Sequence, residues 1–216
     1  MKNKTLVLML ALAAAATAAQ AQDAAAGEKK AAMCIGCHGI PGYQASFPEI
    51  HKVPMISGQG AKYIAGSLVA YKKGERRHPS MRGIATSLSD QDMADLAAHY
   101  EAHGATSLKA VADVPAAQPS AEVAALLAKG ACVSCHGTNF SKPIDGSYPK
   151  IAGQHADYLY AALHAYSVQG NANIGRSNAI MAGQVKQFKR EELKLLAKYI
   201  GSLPGELRTV PQNKFR

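Results

Sequence analysis

The sequence predicts an all-α protein of two tandem domains. Three observations carry that expectation: the chain repeats itself once, apolar residues recur at helical spacing in both copies, and the alternation that marks strands is scarce. A length of 216 residues suits one or two domains at ~150 residues each. Apolar residues make up 48% of the chain, but many are alanine and there is no tryptophan, so domains of 80 to 100 residues would bury only a thin core unaided. Something other than side chains is expected to fill the middle of each.

The repeat is explicit. Cys34-Ile35-Gly36-Cys37-His38-Gly39 returns 98 residues later as Cys132-Val133-Ser134-Cys135-His136-Gly137. Pro54-Met55-Ile56-Ser57-Gly58-Gln59, followed by Tyr63 and Tyr71, returns at an offset of 95 as Pro149-Lys150-Ile151-Ala152-Gly153-Gln154, followed by Tyr158 and Tyr166. Met81 and Met181, then Leu96-Ala97 and Leu196-Ala197, match at an offset of 100. Only loop lengths differ.

Before the first copy, Lys2 and Lys4 precede an apolar run from Leu6 to Ala19 that ends in Ala19-Gln20-Ala21, a small-x-small site for signal peptidase. Fourteen residues are too few to span a bilayer comfortably, so residues 1–21 are expected to be a cleaved secretory signal. Export would put the four cysteines in an oxidising compartment, where they must pair, hold a cofactor or be modified. Pro115 and Pro119 among alanines mark 105–119 as a linker. The expected domains are therefore 22–104 and 120–216.

Each domain carries three helical signals. The first helix starts at a cap, Asp23 or Ser120, and runs into the cysteine motif. The second carries Ile64, Leu68 and Tyr71, matched by Leu159, Leu163 and Tyr166, on one apolar face. The third carries Met93, Leu96, Ala97 and Tyr100, matched by Leu193, Leu196, Ala197 and Ile200. Ser89 with Asp92 reads as a capping box at its start in the first domain.

C-x-x-C-H is the attachment signature of haem c. Two intervening residues let both thiols, Cys34 with Cys37 and Cys132 with Cys135, reach the vinyl groups on one porphyrin edge. The adjacent histidine, His38 or His136, then presents its imidazole to the iron. A zinc site would want four converging ligands, and these clusters lie almost a hundred residues apart. A dithiol redox centre would want a βαβ setting, and simple disulfides would not explain the histidine in both copies. Two haem groups are therefore the expected cofactors.

The repeat also selects the second axial ligand. Met33 abuts the proximal cysteine, Met55 is matched by Lys150, and Met93 sits on a core stripe opposite Leu193. Only Met81 finds a methionine partner, Met181. Each is expected in a loop, 43 residues after His38 and 45 after His136, from which a thioether could cross the haem face. His78 competes in the first domain, but its counterpart is Asn178. Histidines 51, 99, 103, 155 and 164 are expected at surface or satisfied helical positions. Gln59, Gln154, Tyr63 and Tyr158 either bond haem propionates or cap and pack.

With those residues assembled, the chain resembles the dihaem cytochrome c4 family, two class I cytochrome c domains joined by a linker. The resemblance rests on both CxxCHG motifs, the Pro-x-Ile-x-Gly-Gln segments, the methionine pair, and Leu-Ser-Asp-Gln-Asp at 88–92. It implies a periplasmic electron carrier with His/Met iron and haems facing across a domain interface. It further implies delivery of electrons from a quinol-oxidising complex, a quinol-cytochrome c reductase, towards a terminal oxidase. The loop from Gly39 to Val53 departs from the family pattern by its length.

Two strong axial ligands leave no open iron site, which favours a carrier over an enzyme and leaves no place for a small-molecule substrate; thioether ligation raises the potential. Two readings stand beside the carrier. One is the cytochrome subunit of a periplasmic dehydrogenase. The other is a dihaem peroxidase with a displaceable ligand near His78 and a mobile Met81 segment. A gas sensor would need an output domain that the sequence lacks. Residues 22–104 hold nine basic and eight acidic side chains, whereas 120–216 hold twelve and six, an excess that either steers the second domain towards an acidic partner or is only a solvated surface. The carrier could diffuse freely or associate peripherally with a membrane. Nucleic-acid binding has no support, because the lysines are not interleaved with aromatics and the chain is expected to be exported.

Overall fold

The computed structural model describes residues 22–103, 105, 112–113, 115 and 117–211. The expected signal segment and much of the expected linker lie outside them. In the first domain, α1 (Ala24–Lys30) and α2 (Ala32–His38) lead to a hairpin of β1 (Gln44–Ala45) and β2 (His51–Lys52), followed by α3 (Ala61–Lys73), β3 (Arg76–Arg77), α4 (Pro79–Thr86) and α5 (Asp90–Ala102). The second domain repeats this order without the hairpin. It runs α6 (Ala121–Lys129), α7 (Val133–His136), α8 (Ala156–Ala165), β4 (Gly175–Arg176), α9 (Ala179–Val185) and α10 (Arg190–Ser202).

The caps explain where these helices start. Asp23 accepts from the backbone N–H of Ala25 and Ala26, and Ser120 accepts from that of Val123. Ser89 and Asp92 form the reciprocal capping box that their spacing implies. The first helix is not continuous into the cysteine motif. It ends at Lys30 and resumes at Ala32, while in the second copy the break spans Gly130 to Cys132, with Ala131 at φ 45°.

The helical stripes become the two cores. Met93, Leu96, Ala97 and Tyr100 of α5 pack with Ala31, Ala61, Ile64 and Leu88. Leu196, Ala197 and Ile200 of α10 pack with Val123, Leu126, Leu127, Phe140 and Leu159. Each fully buried aliphatic side chain contributes about 1.5–3 kcal/mol. In the first domain α1 crosses α5 at Gly27, where an added Cβ would lie 2.1 Å from the Asp95 carbonyl oxygen, so any larger residue would force the helices apart.

Strands are minor but not absent, and the more informative pair joins the domains. β3 and β4 run antiparallel, with Arg76 opposite Arg176 and Arg77 opposite Gly175. Two residues per strand, drawn from loops a hundred residues apart, offer no alternating pattern to read. The long loop of the first domain also reaches the second. The Lys52 backbone N–H donates to Asp157 at 3.1 Å, His51 meets the ring of Tyr158 edge-on at 5.7 Å, and Glu49 lies 3.3 Å from His164. His51 is thus buried at an interface, neither a surface nor a helical position.

Candidate functional site

Each cysteine motif is presented by a short helix. Cys34 and Cys37 lie three residues apart on α2, Cys132 caps α7, and Cys135 lies within it, a spacing that makes the two members of each pair neighbours on the helix surface. All four thiols are unpaired. Burial pushes the Cys34 and Cys132 thiols up from their ordinary range. Among the described residues no group of three or more His, Cys, Asp or Glu is placed to hold an ion, which leaves the zinc reading without a site.

His38 and His136 end their helices in equivalent ways. His38 Nδ1 lies 2.9 Å from the carbonyl oxygen of Pro54, and His136 Nδ1 lies 3.1 Å from that of Pro149. A carbonyl can only accept, so Nδ1 must carry the proton and the lone pair of Nε2 is left for a metal. Burial lowers the affinity of both imidazoles for a second proton, with the proline carbonyls opposing that shift. This is the tautomer and charge state that iron ligation needs.

The two methionines are not in loops. Met81 and Met181 occupy the first turns of α4 and α9, where the side chains of His78 and Asn178 cap the helices by accepting from the Met81 and Met181 backbone N–H groups at 3.4 and 2.9 Å. Pro79 in the first turn is a helix-start signal that the expectation of a loop overlooked. The mismatch of His78 with Asn178 also resolves, since both residues act as caps. Both methionine side chains are half-buried.

Residues that sequence reasoning passed over complete the arrangement. Arg76 stacks on Tyr63 and Tyr71 at 5.0 and 5.8 Å and donates to the Tyr63 hydroxyl at 3.1 Å. Arg176 stacks on Tyr158 and Tyr166 at 5.7 and 5.5 Å and donates to the Tyr158 hydroxyl at 3.0 Å. Among the described residues no carboxylate pairs with either guanidinium. Burial would raise the Tyr63 phenol, but the two arginine charges outweigh it and hold the group at about 8. Two half-buried cations that face each other without acidic partners favour anions nearby. Haem propionates fit, as do the free thiols and the Nε2 positions, so the residues present suit two haem c groups. The signal was available in the sequence, since each arginine stands five residues before its methionine.

Gln59 and Gln154 bond to protein rather than waiting for a propionate. Gln59 Nε2 donates to the Lys150 carbonyl at 2.9 Å and Gln154 Nε2 donates to the Met55 carbonyl at 2.8 Å, both across the domain boundary. Their Oε1 atoms accept from the backbone N–H groups of Gly60 and His155, the residues that cap α3 and α8, each at 3.0 Å.

The family model described as Cytochrome c matches residues 24–101 and 120–204. The chain is 32% identical over 192 residues to cytochrome c4 of Azotobacter vinelandii, covering 84% of this chain and 89% of that one. It is 31% identical over 185 residues to a thiosulfate dehydrogenase electron acceptor of Stutzerimonas stutzeri, covering 82% of each. Among solved structures, reduced recombinant cytochrome c4 from Pseudomonas stutzeri superposes with a TM-score of 0.60 at 27% identity, over 85% of this chain and all of that one.

Proposed function

Since the chain belongs to the cytochrome c family, as two tandem haem-binding domains of the cytochrome c4 kind, we propose that it is a periplasmic single-electron carrier between a quinol-oxidising complex and a terminal oxidase. Electron transfer and two haem c groups come with that membership. The assignment of residues is this reading's own. Cys34, Cys37, Cys132 and Cys135 form the thioethers, His38 with Met81 and His136 with Met181 hold the irons, and Arg76 and Arg176 balance the propionates. The single observation that carries it is the repetition of this whole set, including the capped methionine helices and the facing arginines.

A haem supplies a metal that gains or loses one electron with little change of shape. The chain's task is to keep that change small. Each proline carbonyl fixes the ring plane and tautomer of its histidine. Each cap fixes the first turn of a methionine helix, so the thioether is carried on rigid backbone. The half-buried arginines offset propionate charge, and a nearby cation favours the reduced state.

Docking follows from surface charge. The basic excess lies on residues 120–216, which suits brief encounters with an acidic partner. No helix among the described residues is long and apolar enough to cross a membrane. The likeness to a thiosulfate dehydrogenase electron acceptor supports a second reading, in which a periplasmic dehydrogenase is the donor. Stopped-flow oxidation by membranes carrying a terminal oxidase tests the first reading. The rate should fall steeply as ionic strength rises, whereas no transfer at any salt concentration, with rapid reduction by a co-purifying dehydrogenase, would favour the second.

A further inference from the structure

One peptide group in each domain touches both an iron ligand and the other domain. The Pro54–Met55 peptide accepts from His38 Nδ1 through its carbonyl at 2.9 Å and donates through its N–H to Gln154 Oε1 at 3.1 Å. The Pro149–Lys150 peptide accepts from His136 Nδ1 at 3.1 Å and donates to Gln59 Oε1 at 3.0 Å. Each glutamine comes from the opposite domain and is enclosed, at 5% exposure for Gln59 and 4% for Gln154. Its second bond, from Nε2 to the carbonyl of residue 150 or 55, fixes which end of the amide faces the N–H.

Amide resonance links the two ends of such a peptide. An N–H that donates pushes electron density through the C–N bond onto the carbonyl oxygen, which becomes the better acceptor. A better acceptor draws the Nδ1 proton of the histidine, and the imidazole becomes a stronger electron donor at Nε2. Stronger donation favours ferric iron. We propose that Gln154 lowers the potential of the haem held by His38, and Gln59 that of the haem held by His136, so that each domain tunes its neighbour's iron through one shared peptide. Gln59 and Gln154 are thus positioning residues that act through Pro54, Pro149 and the two histidines. The domain interface becomes part of both redox centres. This rests on the proposed ligation of two haems.

The test uses the full haem-loaded chain carrying Gln154→Met or Gln59→Met, near in shape but without an amide. A redox titration followed by NMR, with haem methyl signals assigned domain by domain, reads both potentials. Gln154→Met should raise the first-domain potential by about a two- to threefold change in its ferrous-to-ferric ratio, or roughly 20–30 mV at 59 mV per tenfold, and leave the second in place. Gln59→Met should do the reverse. The His38 Nδ1 proton should move upfield in the first variant only. Should either variant fold poorly, Gln154→Glu keeps an oxygen facing the Met55 N–H, and its first-domain potential should not rise. Shifts confined to the glutamine's own domain, equal shifts in both, or no shift with two normally ligated haems would overturn the crossed coupling alone. A chain without haem would overturn the proposed function and this inference with it.

Discussion

The two domains share their helix order, their core stripes and the residues proposed to hold iron, and differ in how the first and last helices meet, in the long loop and in surface charge. Both have a cysteine pair on a short helix, a histidine bonded to a proline carbonyl, a capped methionine helix and a guanidinium between two tyrosine rings. The helix pair beneath is built differently. In the first domain the buried Asp95 accepts from Lys30 at 2.7 Å, Gln91 at 2.7 Å and the Asp23 backbone N–H at 3.0 Å, whereas Leu195 stands at the matching place in the second. The surfaces differ as well. Phe47 and Ile50 stand 58% and 76% exposed on the long loop of the first domain, while basic residues dominate the second. The repeated residues are those that the proposed haem sites use, while one helix contact, one loop and the surface charge are particular to each domain.

The largest expected effect would break the equivalence outright. Replacing Cys34 and Cys37 with serine should leave one covalent haem per chain, read as the loss of one haem mass, and replacing Cys132 and Cys135 should do the same from the other side. Met181→Ala should remove the far-red thioether band from one haem and lower that potential by on the order of 0.1–0.3 V, within the ~0.8 V that axial ligands span. Met81→Ala should match it, and an unequal response would mean that the sites are not equivalent. Arg176→Leu should lower a potential by about 1–2 kcal/mol of ferrous stabilisation, the effect of a unit charge ~10 Å away in a medium of effective dielectric ~20.

The smallest effect concerns the helix pairs. Hydrogen bonds from Lys30, the Asp23 backbone and Gln91 hold the Asp95 carboxyl below its ordinary value of ~3.9. A carboxylate whose folded value is depressed adds stability that is present above pH ~4 and is lost as pH falls towards the folded value. Acid should therefore loosen the contact between α1 and α5. Asp95→Asn should flatten that dependence in thermal unfolding followed between neutral pH and pH ~3.

What the sequence discloses follows the same division. The helical stripes and the capping box are visible because each depends on spacing within one segment, and the methionine pair because the chain repeats itself. The methionine helices escaped notice because their caps, His78 and Asn178, are different residue types in one role. The repeated arginines are legible in each copy, but that Arg76 meets Arg176 across β3 and β4, and that Gln59 reaches Lys150 across 91 residues, is not, because no local window contains both partners. The long loop from Gly39 to Val53 reads as an unusual insertion in sequence. In the fold its second half bears on α8 through Glu49, His51 and Lys52.

The most direct test of two matched centres is the optical spectrum of the purified exported protein, taken with its haem content and repeated for Met81→Ala and Met181→Ala. Two covalent haems per chain are expected, with a far-red thioether band that each substitution cuts by half. A colourless protein, or a spectrum that neither substitution changes, would contradict the account.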